Sequence, residues 1–302
     1  RQKARRIAKK VNPDIVNLIG AENAYYSSAI LDLKEDYLAV VGIQGFISHF
    51  KDQKDKSKAL IKQIEVEEMI LREFTYYYGE LDSSTYIRKY NPEHKFYKLY
   101  GPINEDLAIA TPDRGKEYDC VYFGRFNRYK GVEEFIKVVS ELKKEIPNVK
   151  ACIIGAGDQT SLLSYAKELD CSENIEFAGF LPSQKELFEK VKSAKVFLAP
   201  PLFERLSMTI REALYLKVPV VAYATGGIPY INESDENILM VETGDYKSMA
   251  QKTLVLLKDD MKRLTLAEKG YEYAINEYSL KVNTERLFIV YRDIINKSQN
   301  GL

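Results

Sequence analysis

The sequence has 302 residues, which suits two domains better than one. Lysine plus arginine equals aspartate plus glutamate, 44 each, so no overall field recruits nucleic acid, and none is expected as a partner. Hydrophobic residues at 45% and charged residues at 29% exclude a disordered chain, and three cysteines without a CxxC pair and only two histidines argue against a disulfide framework or a histidine-based metal site.

The opening residues, RQKARRIAKKVNPDIVNLIG, set Ala4, Ile7, Ala8 and Val11 at helical spacing, with six basic residues largely around that stripe. Such a surface suits peripheral contact with an anionic membrane face. A solvated helix leading into the strand PDIVNLI is the plainer reading. PDIVNLI and YLAVVGI read as strands, SKALIKQIEVEEMILREFTYYY as one long helix, and KFYKLY as a short strand. Three strands are few for a complete Rossmann-like domain. The longest nearly apolar run, YLAVVGIQGFI, is too short to span a bilayer, and no signal peptide is seen. A reducing cytoplasm is the expected compartment, with the inner membrane face as its peripheral variant. TPDRGKE (111–117) is the expected linker.

From Tyr118 onward strands and helices alternate. The runs at 119–124, 149–155, 175–180, 195–201, 219–224 and 237–242 are apolar throughout, as strands buried on both faces of a parallel sheet must be. Amphipathic helices separate them, one opened by a Ser183–Glu186 capping box. This is the pattern of a doubly wound, Rossmann-like α/β domain. A last helix, LKVNTERLFIVYRDIIN, needs a surface for Leu287, Val290, Tyr291 and Ile294. The expected division is residues 1–113, 114–279, and a helix over 280–302 that packs back toward the first domain.

Ligands of open α/β sheets gather at the carboxyl ends of the strands. There the sequence places GRFNRYKG, beginning at Gly124 and carrying Arg125 and Lys130, then GAGD, GFLP with Phe180 and Leu181, Glu204, and TGGIP with Gly226 and Gly227. An arginine and a lysine beside helix N-terminal amides suit a diphosphate, and the two glycines would let backbone approach it. Solvated loop cations and ordinary turn glycines are the competing reading. GAGD reads as a plain tight turn, because it lacks the third glycine of a dinucleotide fingerprint. No P-loop pattern and no DxD triplet occurs, so a metal clamp on the diphosphate is unsupported.

FERLSMTIREAL (203–214) contains two glutamates, Glu204 and Glu212. Were the stretch between them all helical, their α-carbons would lie about 12 Å apart along the axis. Retaining glycosidases need carboxylates ~5 Å apart and inverting ones roughly 6.5 to 9.5 Å. The pair fits the two ends of a long ligand, such as a nucleotide sugar, better than one shared glycosidic bond.

In order, FGRFNRYKGVEEFI, IIGAGD, NIEFAGFLP, VFLAPPLFE, REAL and PVVAYATGGIP, with the closing helix, resemble the nucleotide-binding domain of family 4 (group 1) glycosyltransferases, retaining enzymes of the GT-B fold. The likeness spans roughly 118–297, and the ordered combination is highly specific. It implies two Rossmann-like domains facing across a cleft, the N-terminal one incomplete because PDIVNLIG and VVGIQGF look like late strands of an acceptor domain. It implies a nucleotide-sugar donor, of which a UDP-sugar is the commonest, a glycan or lipid-linked acceptor, and no required cofactor or metal. By the same resemblance Arg125 and Lys130 would hold the diphosphate, Glu204 the donor sugar and Glu212 the ribose. Gly124, Gly226 and Gly227 would offer backbone, Phe180 and Leu181 would line the base, and Gln44 would face the acceptor side.

Several positions depart from the pattern. Arg205, Leu206 and Ser207 stand where Gly-Phe-Gly is frequent, Lys217 and Ile238 replace glycines, and Tyr230 replaces an acid. Gln44 stands where many members carry histidine; it can donate a hydrogen bond but cannot exchange protons. His49 reads as a surface or helix-start residue. Two functional readings follow: a retaining hexosyltransferase of cell-surface polysaccharide, lipopolysaccharide or glycolipid assembly, and a non-catalytic GT-B-like module that binds nucleotide or glycan or partners an active enzyme. An NAD-type oxidoreductase is more distant.

Overall fold

The computed structural model describes residues 2–101, 103–205 and 207–299, without the side chains of Leu81 and Asp82. It falls into two compact units, Arg1–Gly101 with Lys281–Leu302, and Pro102–Leu280.

The first unit holds a parallel sheet of β1 (Ile15–Ile19), β2 (Leu38–Gly42), β3 (Tyr76–Gly79) and β4 (Lys95–Lys98), in that order. Strand β3 corrects the sequence reading, which runs a single helix through to Tyr78. The helix is Lys58–Glu73, opened by Ser57, whose side chain accepts the Leu60 amide proton, and the chain turns extended at Phe74. The cause is local. Phe74-Thr75-Tyr76-Tyr77-Tyr78 is an aromatic and β-branched run that fits a pleated surface. Tyr77 is fully buried, and its hydroxyl donates to the Ile70 carbonyl at 2.8 Å, which closes the helix end. The last helix, Leu280–Gln299, packs Val290 and Ile294 against Val40, Tyr78 and Leu99, with Leu287 and Tyr291 beside them.

The units divide ahead of the expected linker and of the 113/114 boundary. The short helix Glu105–Ala110 is tied into the second unit, because Tyr215 Oη donates to Glu105 Oε2 at 3.0 Å and Lys192 Nζ to the Thr111 carbonyl at 2.6 Å.

The second unit holds a six-stranded parallel sheet. Its strands are β5 (Tyr118–Phe123), β6 (Ala151–Ile154), β7 (Ile175–Gly179), β8 (Ala194–Ala199), β9 (Val220–Tyr223) and β10 (Leu239–Val241), in the order β10-β9-β8-β5-β6-β7. Strands β5, β6, β8 and β9 are buried nearly throughout, as their continuous apolar runs require. Strand order reverses where β5 meets β8, which opens a crevice above their carboxyl ends. Among the described residues no helix is long and apolar enough to cross a membrane.

Candidate functional site

The loops that leave β5 and β8 are locked together above the switch point. Asn127 Oδ1 accepts the Lys130 amide proton at 3.0 Å and shapes the turn Arg128–Lys130. Gly131 then starts the helix Val132–Glu145 at φ +74°, and a Cβ on it would fall 1.7 Å from the Pro200 carbonyl oxygen. Only glycine fits. The Tyr129 carbonyl accepts from the Leu202 and Phe203 amides at 2.9 and 3.2 Å, so the cation-bearing loop and the Glu204 loop form one piece. Beneath them the Tyr122 hydroxyl lies 3.2 Å from the Arg125 carbonyl and 3.3 Å from that of Lys130, sharing its proton between the two.

A cavity of about 350 Å³ opens between these loops, walled by Gly124, Arg125, Lys130, Glu204, Ser207 and Thr209. Lys130 Nζ lies 2.6 Å from Glu204 Oε2, with side chains 31% and 13% exposed. The other Glu204 oxygen accepts the Arg205 amide proton at 3.1 Å. Arg125 is exposed and, among the described residues, its guanidinium has no acidic partner. The cavity thus offers one committed cation and one available cation.

A second cavity of about 230 Å³ shares Phe123, Gly124, Arg125 and Thr209 with the first, so the two adjoin. Its far end is Phe180, Leu181 and Glu212. Phe180 is 68% exposed, an apolar ring held open to solvent. Glu212 stands on the helix Met208–Tyr215, and Gln184 Nε2 approaches its Oε1 at 3.4 Å. Burial pushes its carboxyl up to about 7, against a smaller lowering by Gln184. Because Glu204 precedes that helix in an irregular loop, all-helical spacing does not apply, and the two acids serve different cavities.

Arg125, Lys130, Glu204, Glu212, Gly124, Phe180 and Leu181 are therefore brought together. Gly226 and Gly227 are not: neither lines either cavity. Gly226 sits at φ +58° against the Glu204 carbonyl, and the Gly227 amide is already donated to the Arg205 carbonyl at 2.5 Å. Gln44 belongs to the first unit, exposed just past β2. His49 is exposed in the turn Ile47–Phe50, its ring edge-on to Tyr86.

The departures from the family pattern have physical explanations. Ser207 is buried at the helix start, its hydroxyl 2.7 Å from that of Thr209; Leu206 lies outside the described residues. Lys217 keeps the left-handed backbone of a glycine position, φ +56°, and its ammonium pairs with Glu268 at 2.8 Å over the Tyr271 ring. Ile238 is fully buried core, and the Tyr230 carbonyl accepts from Tyr273 Oη at 3.4 Å. Sequence reasoning missed Ser207 and Thr209 as cavity wall, and Gly155 and Ala156 of GAGD, which it took for a turn only. Their signal was position: each follows a strand at or beside the switch point.

The family profile for Glycosyl transferases group 1 matches residues 105–273. N-acetyl-alpha-D-glucosaminyl L-malate synthase of Bacillus anthracis is 21% identical over 225 residues, 74% of this chain and 55% of that protein. The lipopolysaccharide core biosynthesis glycosyltransferase LpsE of Rhizobium meliloti (strain 1021) is 29% identical over 163 residues, 54% of this chain and 46% of that protein. The chain spans about half the length of the curated relatives it matches. Among solved structures, a sucrose-phosphate synthase from Thermosynechococcus elongatus superposes with a TM-score of 0.76 at 17% identity, covering 97% of this chain and 76% of that one. Anabaena HepE in complex with UDP gives 0.76 at 15%, covering 95% and 81%. These likenesses show the fold, two Rossmann-like α/β units of the GT-B kind.

Proposed function

The chain belongs to the group 1 glycosyltransferases, and from that premise we propose that it moves a sugar from a nucleotide-sugar donor to a glycan or lipid-linked acceptor with retention of configuration and without a metal. Its relatives include transferases of lipopolysaccharide core and capsular polysaccharide synthesis, which makes a cell-surface glycan the acceptor class to test. The observation that carries the reading is the pair of adjoining cavities, with Arg125 lining both, Glu204 in one and Glu212 with Phe180 in the other.

In this reading the diphosphate lies along Arg125 and Lys130, which neutralise the charge that grows on its oxygens as the glycosyl group departs. Lys130 exchanges part of its bond to Glu204 for a phosphate oxygen. Glu204 is then free to accept from a sugar hydroxyl. Ionised Glu212 accepts from the ribose hydroxyls, and Phe180 and Leu181 pack on the base. Gln44 donates to a sugar hydroxyl of the acceptor, and positioning of the reactants with water excluded favours transfer over hydrolysis. The acceptor hydroxyl attacks from the face the diphosphate leaves and gives its proton to the departing diphosphate oxygen, so the acids need no covalent role. UDP is the first nucleotide to test, since HepE of the same fold is described with UDP and UDP-glucose.

The test is transfer from UDP-glucose in excess chelator, with the product's anomeric proton followed by NMR. Retention at an undiminished rate is expected. An inverted product, or activity lost with the chelator, contradicts the mechanism. For membrane contact, the helix Gln2–Val11 leaves Ile7 and Val11 51% and 66% exposed among Lys3, Arg6, Lys9 and Lys10. Co-sedimentation with anionic but not neutral vesicles is expected; equal recovery with both contradicts it.

A further inference from the structure

Glu204 reaches its cavity from an irregular loop, and neighbouring loops must hold its carboxylate against Lys130. On one side the Tyr129 carbonyl binds the Leu202 and Phe203 amides. On the other, the turn after β9 lies directly on the Glu204 backbone. A Cβ on Gly226 would stand 1.6 Å from the Glu204 carbonyl oxygen, 2.8 Å from its carbon and 3.3 Å from the Arg205 oxygen. Contacts under 3.0 Å are essentially never seen for real Cβ atoms, and the atoms obstructing this one are backbone. No side-chain rotation can relieve the clash, so the loop itself must move. The Gly227 amide fixes the same loop by its 2.5 Å bond to the Arg205 carbonyl. Gly244 of the same unit makes an instructive contrast: it is also left-handed, φ +90°, but nothing lies within 4 Å of a Cβ there. Both positions have the positive φ that disfavours a side chain, and they differ in what that side chain would displace.

We propose that Gly226 is a positioning residue: the turn after β9 sets the Glu204 carboxylate against Lys130 and itself touches no part of the donor. The inference rests on the reading of Glu204 and Lys130 as donor contacts, and it gives the two glycines a role other than backbone ligation of the diphosphate. A displacement of about 1 Å at such a group can cost on the order of 100-fold in rate.

The test combines a structure with a double-mutant cycle. Crystals of unliganded Gly226→Ala should show Lys130 and Glu204 parted beyond 4 Å with Phe180 and Glu212 in place, whereas Gly244→Ala should keep the pair. An intact pair in Gly226→Ala overturns the proposal. Calorimetry with UDP as the probe then compares wild type, Glu204→Gln, Gly226→Ala and the double variant. Glu204→Gln should tighten UDP binding by roughly 3- to 10-fold, because it frees Lys130 and removes a like charge from beside the diphosphate. In the Gly226→Ala background the same change should shift the affinity less than about twofold, since contacts already broken do not add. Equal effects in both backgrounds also overturn the proposal. If no form binds UDP, the nucleotide reading fails while the crystal comparison still judges Gly226. Should Gly226→Ala not fold where Gly244→Ala does, an amide-to-ester replacement at Gly227 removes the Arg205 hydrogen bond without adding a side chain, and the same two readouts apply.

Discussion

Glu204 and Glu212 are the same side chain in two adjoining cavities, in opposite surroundings. Glu204 has an ammonium at 2.6 Å and a backbone amide at 3.1 Å, and two flanking loops hold its backbone. Among the described residues Glu212 has one polar neighbour, the Gln184 amide nitrogen at 3.4 Å, and burial pushes its carboxyl up to about 7. The first is paired with a cation that a ligand must share. The second is a charge that burial disfavours and that a hydroxyl-rich ligand would satisfy. The difference teaches that one carboxylate is held by charge placement and the other is disfavoured by desolvation, which suits them to the sugar and ribose ends of the proposed donor.

The largest expected effect breaks the Glu204 end. Lys130→Ala should weaken nucleoside diphosphate binding by about 100-fold, because it removes a cation and leaves a carboxylate facing the phosphates. Calorimetry checks this, and a loss under threefold would remove Lys130 from the site. Next comes the Glu212 end, which should respond to pH. Its ionised form is the better acceptor for ribose hydroxyls, so nucleotide affinity should fall as pH drops below about 7, by at most about tenfold per unit. Glu212→Gln should flatten that profile.

The same shift has a stability consequence of opposite sense. A folded-state value of about 7, above the ordinary 4.5, means the folded chain holds this proton more tightly than the unfolded chain. That contribution is full below the ordinary value and is lost as pH rises through 7. Glu212→Gln should therefore be more stable than wild type at pH 8, by roughly 1–3 kcal/mol, and the gain should vanish near pH 4, as urea titrations at both pH values would show. Phe180→Ala should cost a few-fold to tenfold in nucleotide affinity at unchanged melting temperature, because the ring is exposed and available for stacking. The smallest effect lies away from both ends. Lys217→Gly relieves a left-handed backbone worth roughly 1–2 kcal/mol and gives up one exposed ion pair, so a small net gain in melting temperature is expected.

The second unit was largely legible from sequence because its strands are buried on both faces and read as unbroken apolar runs. Its loops could then be assigned to the sheet's carboxyl end by order alone. Arg125, Lys130, Glu204, Glu212, Phe180 and Leu181 were assigned to that rim in this way, and all of them line the two cavities. The first unit was less legible. Strand β3 follows its helix after only two residues, and Tyr76–Tyr78 continued an apolar pattern that length alone could not divide. The helices Tyr246–Lys258 and Asp260–Tyr278 went unresolved for a similar reason: a single residue, Asp259, separates them, its side chain capping the second. Gly226 and Gly227 were found, but their partners were not. A glycine pair after a strand says that backbone comes close, and it does not say whether to a ligand or to the loop next door.

The most direct test is thermal melting of the chain with UDP, GDP, ADP and NAD, beside Lys130→Ala. At 100 times its dissociation constant a bound nucleotide adds about 2.7 kcal/mol of stability. The account predicts that at least one nucleoside diphosphate raises the wild-type transition and that Lys130→Ala loses most of that shift at the same concentration. A transition moved by none of the nucleoside diphosphates, or moved by NAD alone, would contradict it.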